Sequence, residues 1–149
     1  MKISYLLIFL SVFFSCQNDD DFCSNQYVAF KQIEEISDCQ NTLWNFTLNT
    51  DESDIIVRNQ QDFEQYVNTG DCAVQVDFNQ YDLIIGTQYV AEATKFEYTV
   101  VDVCEENQLY LHVRILNANL NDFEKKAIFH VLVPKLNNGQ SVQITFGVG

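Results

Sequence analysis

Residues 95–116 read KFEYTVVDVCEENQLYLHVRIL, two alternating segments that meet at Glu106-Asn107. Apolar and polar side chains alternate with period two on both sides of this turn, which predicts an antiparallel β-hairpin. A two-residue turn would place Asp102 opposite Leu111 on the apolar face of the hairpin. A carboxylate in that position needs a hydrogen-bond partner, or else the register is shifted.

Similar patterns predict strands on both sides of this hairpin. In the second half of the chain they cover residues 82–90, 127–133 and 141–146, and with the hairpin they predict a β-meander. In the first half, strands are predicted over residues 27–36 and 43–48, and a third begins at Ile55.

One short helix interrupts these strands. Asn59 is a suitable N-cap, and Phe63, Tyr66 and Val67 follow at helical spacing, which predicts a helix over residues 60–68. The fold class is therefore expected to be α+β and mainly antiparallel β, a small sandwich or open barrel with one short helix. Residues 26–149 are expected to form a single β-rich domain.

The N-terminus has the features of an export signal. Lys2 precedes an apolar run over residues 3–14, which is shorter than the roughly 20 residues that span a bilayer. Ser15 stands immediately before Cys16, as in bacterial lipoprotein signals, in which the cysteine thiol takes a diacylglycerol. We expect residues 1–15 to be removed and Cys16 to carry the lipid; plain secretion and an uncleaved anchor are the alternatives.

Residues 16–25 are expected to form an acidic lipid tether. The stretch Gln17-Asn18-Asp19-Asp20-Asp21 resembles the acidic segment that directs lipoproteins of the Bacteroidetes group to the cell surface. A solvated spacer is the other interpretation of this stretch. The expected location is the outer membrane, with the protein anchored to the bilayer through acylated Cys16 and facing the cell surface.

The strongly acidic composition bears on the class of partner. The formal net charge is −13, and loss of Lys2 with the signal makes the chain more acidic still. Such a surface repels phosphate backbones, so nucleic acid is not an expected partner.

The chain contains five cysteines, one more than the four that can pair with one another. With Cys16 assigned to the lipid, Cys23, Cys39, Cys72 and Cys104 form an even set, which in an exported chain predicts disulfides. Of the three possible pairings we favour Cys23 with Cys39 and Cys72 with Cys104. No CxxC spacing supports a zinc site, and no cofactor or metal is expected.

Candidate catalytic groups are sparse. His112 and His130 lie on predicted strands that a sheet could bring together, and the carboxylates at 105–106 and 51–54 lie in predicted turns. Neither a nucleophile elbow nor a phosphate-binding glycine loop occurs, and 51–54 lacks the spacing of a calcium loop. No catalytic residue is predicted, and the protein is not expected to be an enzyme. Trp44 and Phe46, on one face of a predicted strand, indicate either core packing or a sugar-binding platform.

Short motifs in the second half of the chain resemble the PrcB-type C-terminal domain, a small β-rich module of bacterial lipoproteins. The first motif is Val76-Asp77-Phe78 followed by Leu83-Ile84-Ile85, and the second is residues 131–135 leading to residues 142–146. The whole resemblance covers roughly residues 55–147. The family's Gly-Gly-Tyr-like stretch is absent at residues 87–93. The resemblance implies an accessory subunit of a surface protease or secretion complex.

The expected function is therefore that of a non-catalytic protein-interaction module that presents a sheet surface to an envelope protein. The alternative is a surface lipoprotein that binds a glycan or a small molecule at its aromatic strands.

Overall fold

A computed structural model of the chain describes residues 24–90, 95–116 and 125–149. The described residues form nine strands and three short helices. In chain order these are β1 (Gln26–Tyr27), α1 (Ile33–Ile36), α2 (Thr42–Asn45), β2 (Thr47–Leu48), β3 (Asp54–Val57), α3 (Gln60–Tyr66), β4 (Val67–Asn68), β5 (Tyr81–Val90), β6 (Lys95–Val103), β7 (Gln108–Leu116), β8 (Lys125–Pro134) and β9 (Ser141–Val148).

The strands pair into two main sheets and a small one. The first sheet has the order β1-β6-β7-β9, the second has the order β3-β5-β8, and β2 pairs with β4. Every pair is antiparallel except β7 with β9, which is parallel. The prediction of an α+β, mainly antiparallel fold is confirmed.

The two main sheets pack face to face as a sandwich. Alternate side chains of each sheet point into a shared apolar core, because successive residues of a strand face opposite sides. The first sheet contributes Phe96, Val100, Leu109, Leu111, Val113 and Ile115, and the second contributes Ile84, Val90, Ala127, Phe129, Val131 and Val133.

The second sheet is also covered on its other face. There Val57, Leu83, Ile85, Ile128 and Leu132 of the sheet pack against a layer that includes Ile33, Phe46 and Phe63. Every residue from Ala127 to Val133 is consequently buried. A strand that lies between two layers reads as a continuous apolar run, which is the pattern of β8.

The register of the β6–β7 hairpin differs from the prediction by two residues. Asp102 lies opposite Leu109, because Cys104–Glu106 form a 3₁₀ turn and Asn107 adopts a left-handed conformation with φ 48°. An even shift leaves every side chain on its predicted face. Asp102 also has a partner, since Gln140 Nε2 donates to its Oδ1 at 2.9 Å.

The predicted meander is wrong. The strands β5 and β6 belong to different sheets, and β7 pairs with β9 in place of β8. The physical reason is burial on two faces. Because β8 is apolar on both faces, it belongs in a sheet that is covered on both sides, whereas β7 alternates and suits a sheet with one exposed face.

The two strands predicted in the first half of the chain are also largely wrong. Residues 27–36 contain only the end of β1, followed by α1, and residues 43–48 contain most of α2 before the short β2. In α1, the Gln32 backbone N–H donates to the Glu35 carboxylate at 2.7 Å, which caps the helix. This local bond and the burial of Ile33 outweigh the alternating pattern.

The helix expected after Asn59 is confirmed as α3. The Asn59 side chain accepts a hydrogen bond from the Asp62 backbone N–H at 2.9 Å, and Phe63 is buried in the core against the second sheet. The helix ends at Tyr66, two residues before the predicted end, because Val67 begins β4.

The favoured disulfide pairing is wrong, because Cys39 is bonded to Cys72. The two Cα atoms lie 5.7 Å apart. This bond joins the segment between α1 and α2 to the segment after β4, which adjacent layers bring together. Cys104 is also disulfide-bonded, whereas Cys16 and Cys23 lie outside the described residues.

Candidate functional site

The face of the first sheet that points away from the core is open to solvent and carries an aromatic row. The strand pairing places Tyr27 beside Val101, Val101 beside Tyr110, and Tyr110 beside Gln143. Tyr27 is 85% exposed, the highest value among the exposed large apolar side chains of the described residues. We call this open side, which also carries Thr99, His112, Thr145, Glu97 and Arg114, the outer face.

Polar contacts fix the side chains next to the aromatic row. His112 Nδ1 lies 2.9 Å from Thr145 Oγ1, and Arg114 Nη1 donates to Glu97 Oε2 at 3.4 Å. The Tyr110 hydroxyl donates to the Glu106 carboxylate at 2.7 Å, which raises the pKa of that phenol. The ladder and these contacts give the outer face a fixed spacing of aromatic, apolar and hydrogen-bonding groups.

Gly147 lies directly against the His112 ring. A Cβ atom at this glycine would lie 2.9 Å from His112 Cε1 and Nε2, closer than van der Waals contact. The absent side chain leaves room for the imidazole close to the β9 backbone.

The two histidines do not form a common site. His112 lies on the outer face of the first sheet, whereas His130 points from β8 into the layer beyond the second sheet. The sandwich core separates them. No group of three or more His, Cys, Asp or Glu side chains within residues 24–90, 95–116 and 125–149 could hold a metal ion.

His130 instead takes part in a polar cluster with Thr42, which is buried like His130, and with Glu34, which is 37% exposed. Its Nε2 lies 2.7 Å from Thr42 Oγ1 and 3.6 Å from Glu34 Oε2. The Thr42 hydroxyl donates to Glu34 Oε1. Because its single proton goes to the carboxylate, Thr42 Oγ1 accepts from His130 Nε2–H.

The electrostatics of this cluster favour an ionised carboxylate. Burial raises the pKa of Glu34, but the nearby His130 imidazole and the hydrogen bond from Thr42 lower it more, to about 2. Tyr98 extends from β6 to the same place, where its hydroxyl oxygen accepts from the His130 backbone N–H at 3.3 Å. Burial raises the pKa of this phenol.

The cluster contains a hydroxyl, an imidazole and a carboxylate, but their order is not that of a catalytic triad. In a triad the hydroxyl bonds one imidazole nitrogen and the carboxylate bonds the other. Here both lie on the Nε2 side of His130, while Nδ1 is buried with no partner among the described residues. Thr42 is only 1% exposed, so its hydroxyl cannot meet a substrate. The cavity beside the cluster is small, about 220 Å³.

A buried carboxylate elsewhere in the second sheet also has a structural arrangement. Asp82 at the start of β5 is 1% exposed, pairs with the Lys135 ammonium, and accepts from the Leu136 backbone N–H at 3.0 Å. Arg58 Nε lies 4.0 Å from the same carboxylate. These bonds attach the segment after β8 to the start of β5.

The remaining candidate carboxylates from the sequence lie at exposed positions, and Glu52 and Asp54 among them line an open pocket of about 440 Å³. The acidic stretch over 51–54 is exposed in the turn before β3, and Glu105 and Glu106 lie in the exposed β6–β7 turn. Trp44 does not share a strand face with Phe46, because it lies on α2 and packs against the sandwich core, whereas Phe46 is buried in the other core. Of the two interpretations of Trp44 and Phe46, core packing is therefore the one that the contacts support.

Sequence reasoning missed both the aromatic row and the polar cluster around His130. The row joins residues of four strands, and only the pairing β1-β6-β7-β9 brings Tyr27 near Tyr110. The alternation of β6 and β7 was the available signal, since it placed Tyr110 on the wet side. For Thr42 and His130, which are 88 positions apart, no sequence signal exists.

Comparison with family models, with curated proteins and with solved structures finds no match to this chain. The likeness to the PrcB-type domain stays an expectation from its motifs. Among the described residues, no helix has the length and apolar character needed to cross a membrane.

Proposed function

We propose that this chain is a lipid-anchored outer-membrane protein, exposed at the cell surface, that acts as a non-catalytic protein-interaction module. Its outer face would bind a neighbouring envelope protein, such as a subunit of a surface protease or secretion complex. The observation that carries the proposal is the row Tyr27–Val101–Tyr110, aromatic and apolar side chains that extend across three strands on a solvated sheet face.

The chemistry of this row is that of a protein interface. Tyrosine combines a large apolar surface with a hydroxyl and is enriched in interface centres, where charged residues are depleted. Arg114 and Glu97 lie two rows away, where they would form part of a polar rim. The sheet ladder holds these groups in place, so binding would cost little ordering of the backbone.

The non-catalytic part of the proposal rests on the polar clusters. Thr42 Oγ1 bonds both His130 Nε2 and the Glu34 carboxylate, and Asp82 is engaged by Lys135 and a backbone N–H. These groups stabilise the contacts between layers, and neither cluster presents an accessible nucleophile next to a base.

Cross-linking on intact cells tests the module. A photoreactive residue at position 27 should capture one dominant envelope protein, and the same residue at position 89 should not, because Tyr89 is equally aromatic and 57% exposed but lies on β5 of the other sheet. A Cys16→Ala strain should lose the captured protein. Equal capture from both positions, or none from position 27, would refute the proposal.

Lipid attachment is tested by intact mass. The native protein should exceed the mass of a chain that starts at Cys16 by a diacylglycerol and an acyl chain such as palmitate. An unmodified Cys16 would remove the anchor from the proposal.

The alternative is a ligand-binding surface lipoprotein. Tyr27 and Tyr110 are accompanied on the outer face by Gln143, Thr145 and His112, a mixture of aromatic and hydrogen-bonding groups that also suits a glycan. Binding of the purified protein to a glycan array, abolished by Tyr27→Ala and retained by Tyr89→Ala, would favour this function over the module.

A further inference from the structure

The last strand, β9, is an edge strand without the usual protection against further pairing. It reads SVQITFGV over eight residues and contains neither a charged residue nor a proline. It pairs with β7 on one side, and no described residue pairs with its other side. Charges, prolines, short length and covering loops are the devices that keep sheet edges from pairing.

The other described edges carry such devices. The strand β1 has two residues, and β3 has four and begins with an exposed aspartate, Asp54. The outer edge of β8 is covered at Leu132, which exchanges two backbone hydrogen bonds with Lys31 at 2.8 and 3.0 Å. Within the part of the chain that the structure describes, β9 is thus the one long sheet edge that carries no charge and no covering segment.

The inward side chains of β9 are also incompletely covered. Phe146 contacts the Phe129 ring edge-to-face with centroids 5.4 Å apart, yet 41% of it is exposed. Val148, which shares a row with the buried Ile115, is 53% exposed. One more strand beside β9 would remove this apolar surface from water.

We propose that a second copy of this chain supplies that strand, with the two β9 strands antiparallel about a two-fold axis at Thr145. In this pairing Ile144 lies opposite the partner's Phe146, and Val142 lies opposite the partner's Val148. Even-numbered residues of β9, which point to the core, lie opposite even-numbered residues of the partner strand. Apolar side chains therefore meet apolar side chains, and the two inner faces join into one continuous core. The two first sheets become one sheet across the axis.

The acidic net charge of the chain favours a dimer that forms through the neutral strand β9 over one that forms through an edge with acidic residues. The full chain carries a formal net charge of −13 and loss of the signal makes each copy more acidic, so a seam that included acidic residues would repel its own copy. The neutral β9 places no like charges at the seam, and only longer-range repulsion opposes the dimer. Because salt screens that repulsion over about 10 Å at 0.1 M, the dimer should become tighter as salt rises.

Disulfide trapping in cells tests the pairing on the full chain. In Thr145→Cys the two introduced thiols face each other at the axis, where opposite Cα atoms of antiparallel strands are about 4.5–5.5 Å apart, within the range of a disulfide. We expect a covalent dimer of twice the chain mass. Thr99→Cys, an exposed threonine on β6 of the same outer face, is the matched control and should stay monomeric.

Sedimentation of the purified lipoprotein in detergent gives an independent measurement. The protein-associated mass should be twice that of one chain and should fall to one chain in Phe146→Lys, which places a charge at the apolar seam. A Thr145→Cys protein that stays monomeric, or that traps a different protein, overturns the proposal. Capture of an envelope protein through position 27 is independent of either result, so the two proposals can fail separately.

Discussion

Thr42 Oγ1 and His130 Nε2 lie 2.7 Å apart although 88 positions of sequence separate them. The contact joins α2 to the centre of β8, and Glu34 extends it to α1. Three polar side chains thus hold two short helices against a mainly apolar face of the second sheet. Helices of four residues are too short to be stable alone, so their position depends on such contacts.

The first prediction concerns the hydroxyl at the centre of this cluster. Thr42→Val preserves the shape of the side chain but removes the acceptor of His130 Nε2–H and the donor to Glu34. We expect the free energy of unfolding to fall by about 1–3 kcal/mol, the usual cost of leaving buried polar groups unsatisfied. Chemical denaturation measures it. Thr99→Val, on the exposed outer face, is the control and should change stability by less than about 0.5 kcal/mol; equal effects would contradict the assigned bonds.

The second prediction is a pH dependence of stability. The pKa of Glu34 is about 2 in the folded protein and 4.5 ordinarily, so its stabilisation is complete above pH 4.5 and is lost as the pH falls towards 2. Its side chain is 37% exposed, and screening by water reduces the expected loss to about 1–2 kcal/mol.

A pair of glutamine variants isolates this contribution. Glu34→Gln should lower stability at pH 7 and flatten the dependence between pH 4.5 and 2, relative to Glu52→Gln in the exposed turn before β3. If the two variants titrate in parallel, Glu34 is not the group responsible.

The elements that the sequence predicts correctly are those with a local signal. The period-two pattern locates β6 and β7, and Asn59 locates the start of α3 through a bond to Asp62 three residues away. The faces of the hairpin are also correct, because a two-residue shift in register preserves parity.

What the sequence does not predict depends on partners distant in the chain. The parallel contact of β7 with β9, the bond of Cys39 to Cys72 and the placement of α1 against β8 each arise from packing of layers. Burial of Ile33 in such a layer overrides the alternating pattern of residues 27–36. The aromatic row has the same origin, since no pattern within one strand shows which strand lies beside it.

The third prediction concerns the buried carboxylate at the start of β5. Asp82→Asn leaves Lys135 without its charged partner and weakens the bond from the Leu136 N–H. Removing one member of a fully buried ion pair typically costs about 3–5 kcal/mol. Because Lys135 is partly exposed, we expect a loss of free energy of unfolding below that range. The measurement is the midpoint of urea unfolding, with Asp54→Asn on the exposed start of β3 as the control.

The fourth prediction concerns the disulfide between Cys39 and Cys72. Peptide mapping without reduction should recover residues 39 and 72 in one cross-linked fragment, because their Cα atoms lie 5.7 Å apart. The double variant Cys39→Ala, Cys72→Ala should lose about 2–4 kcal/mol of stability, since the bond restricts the unfolded chain over the 33 positions that it closes. Because Cys39 is only 4% exposed, a mild reductant should reduce the disulfide only after the surrounding structure opens locally. A fragment that joins residues 23 and 39 would contradict the layered packing that brings α1 and β4 together.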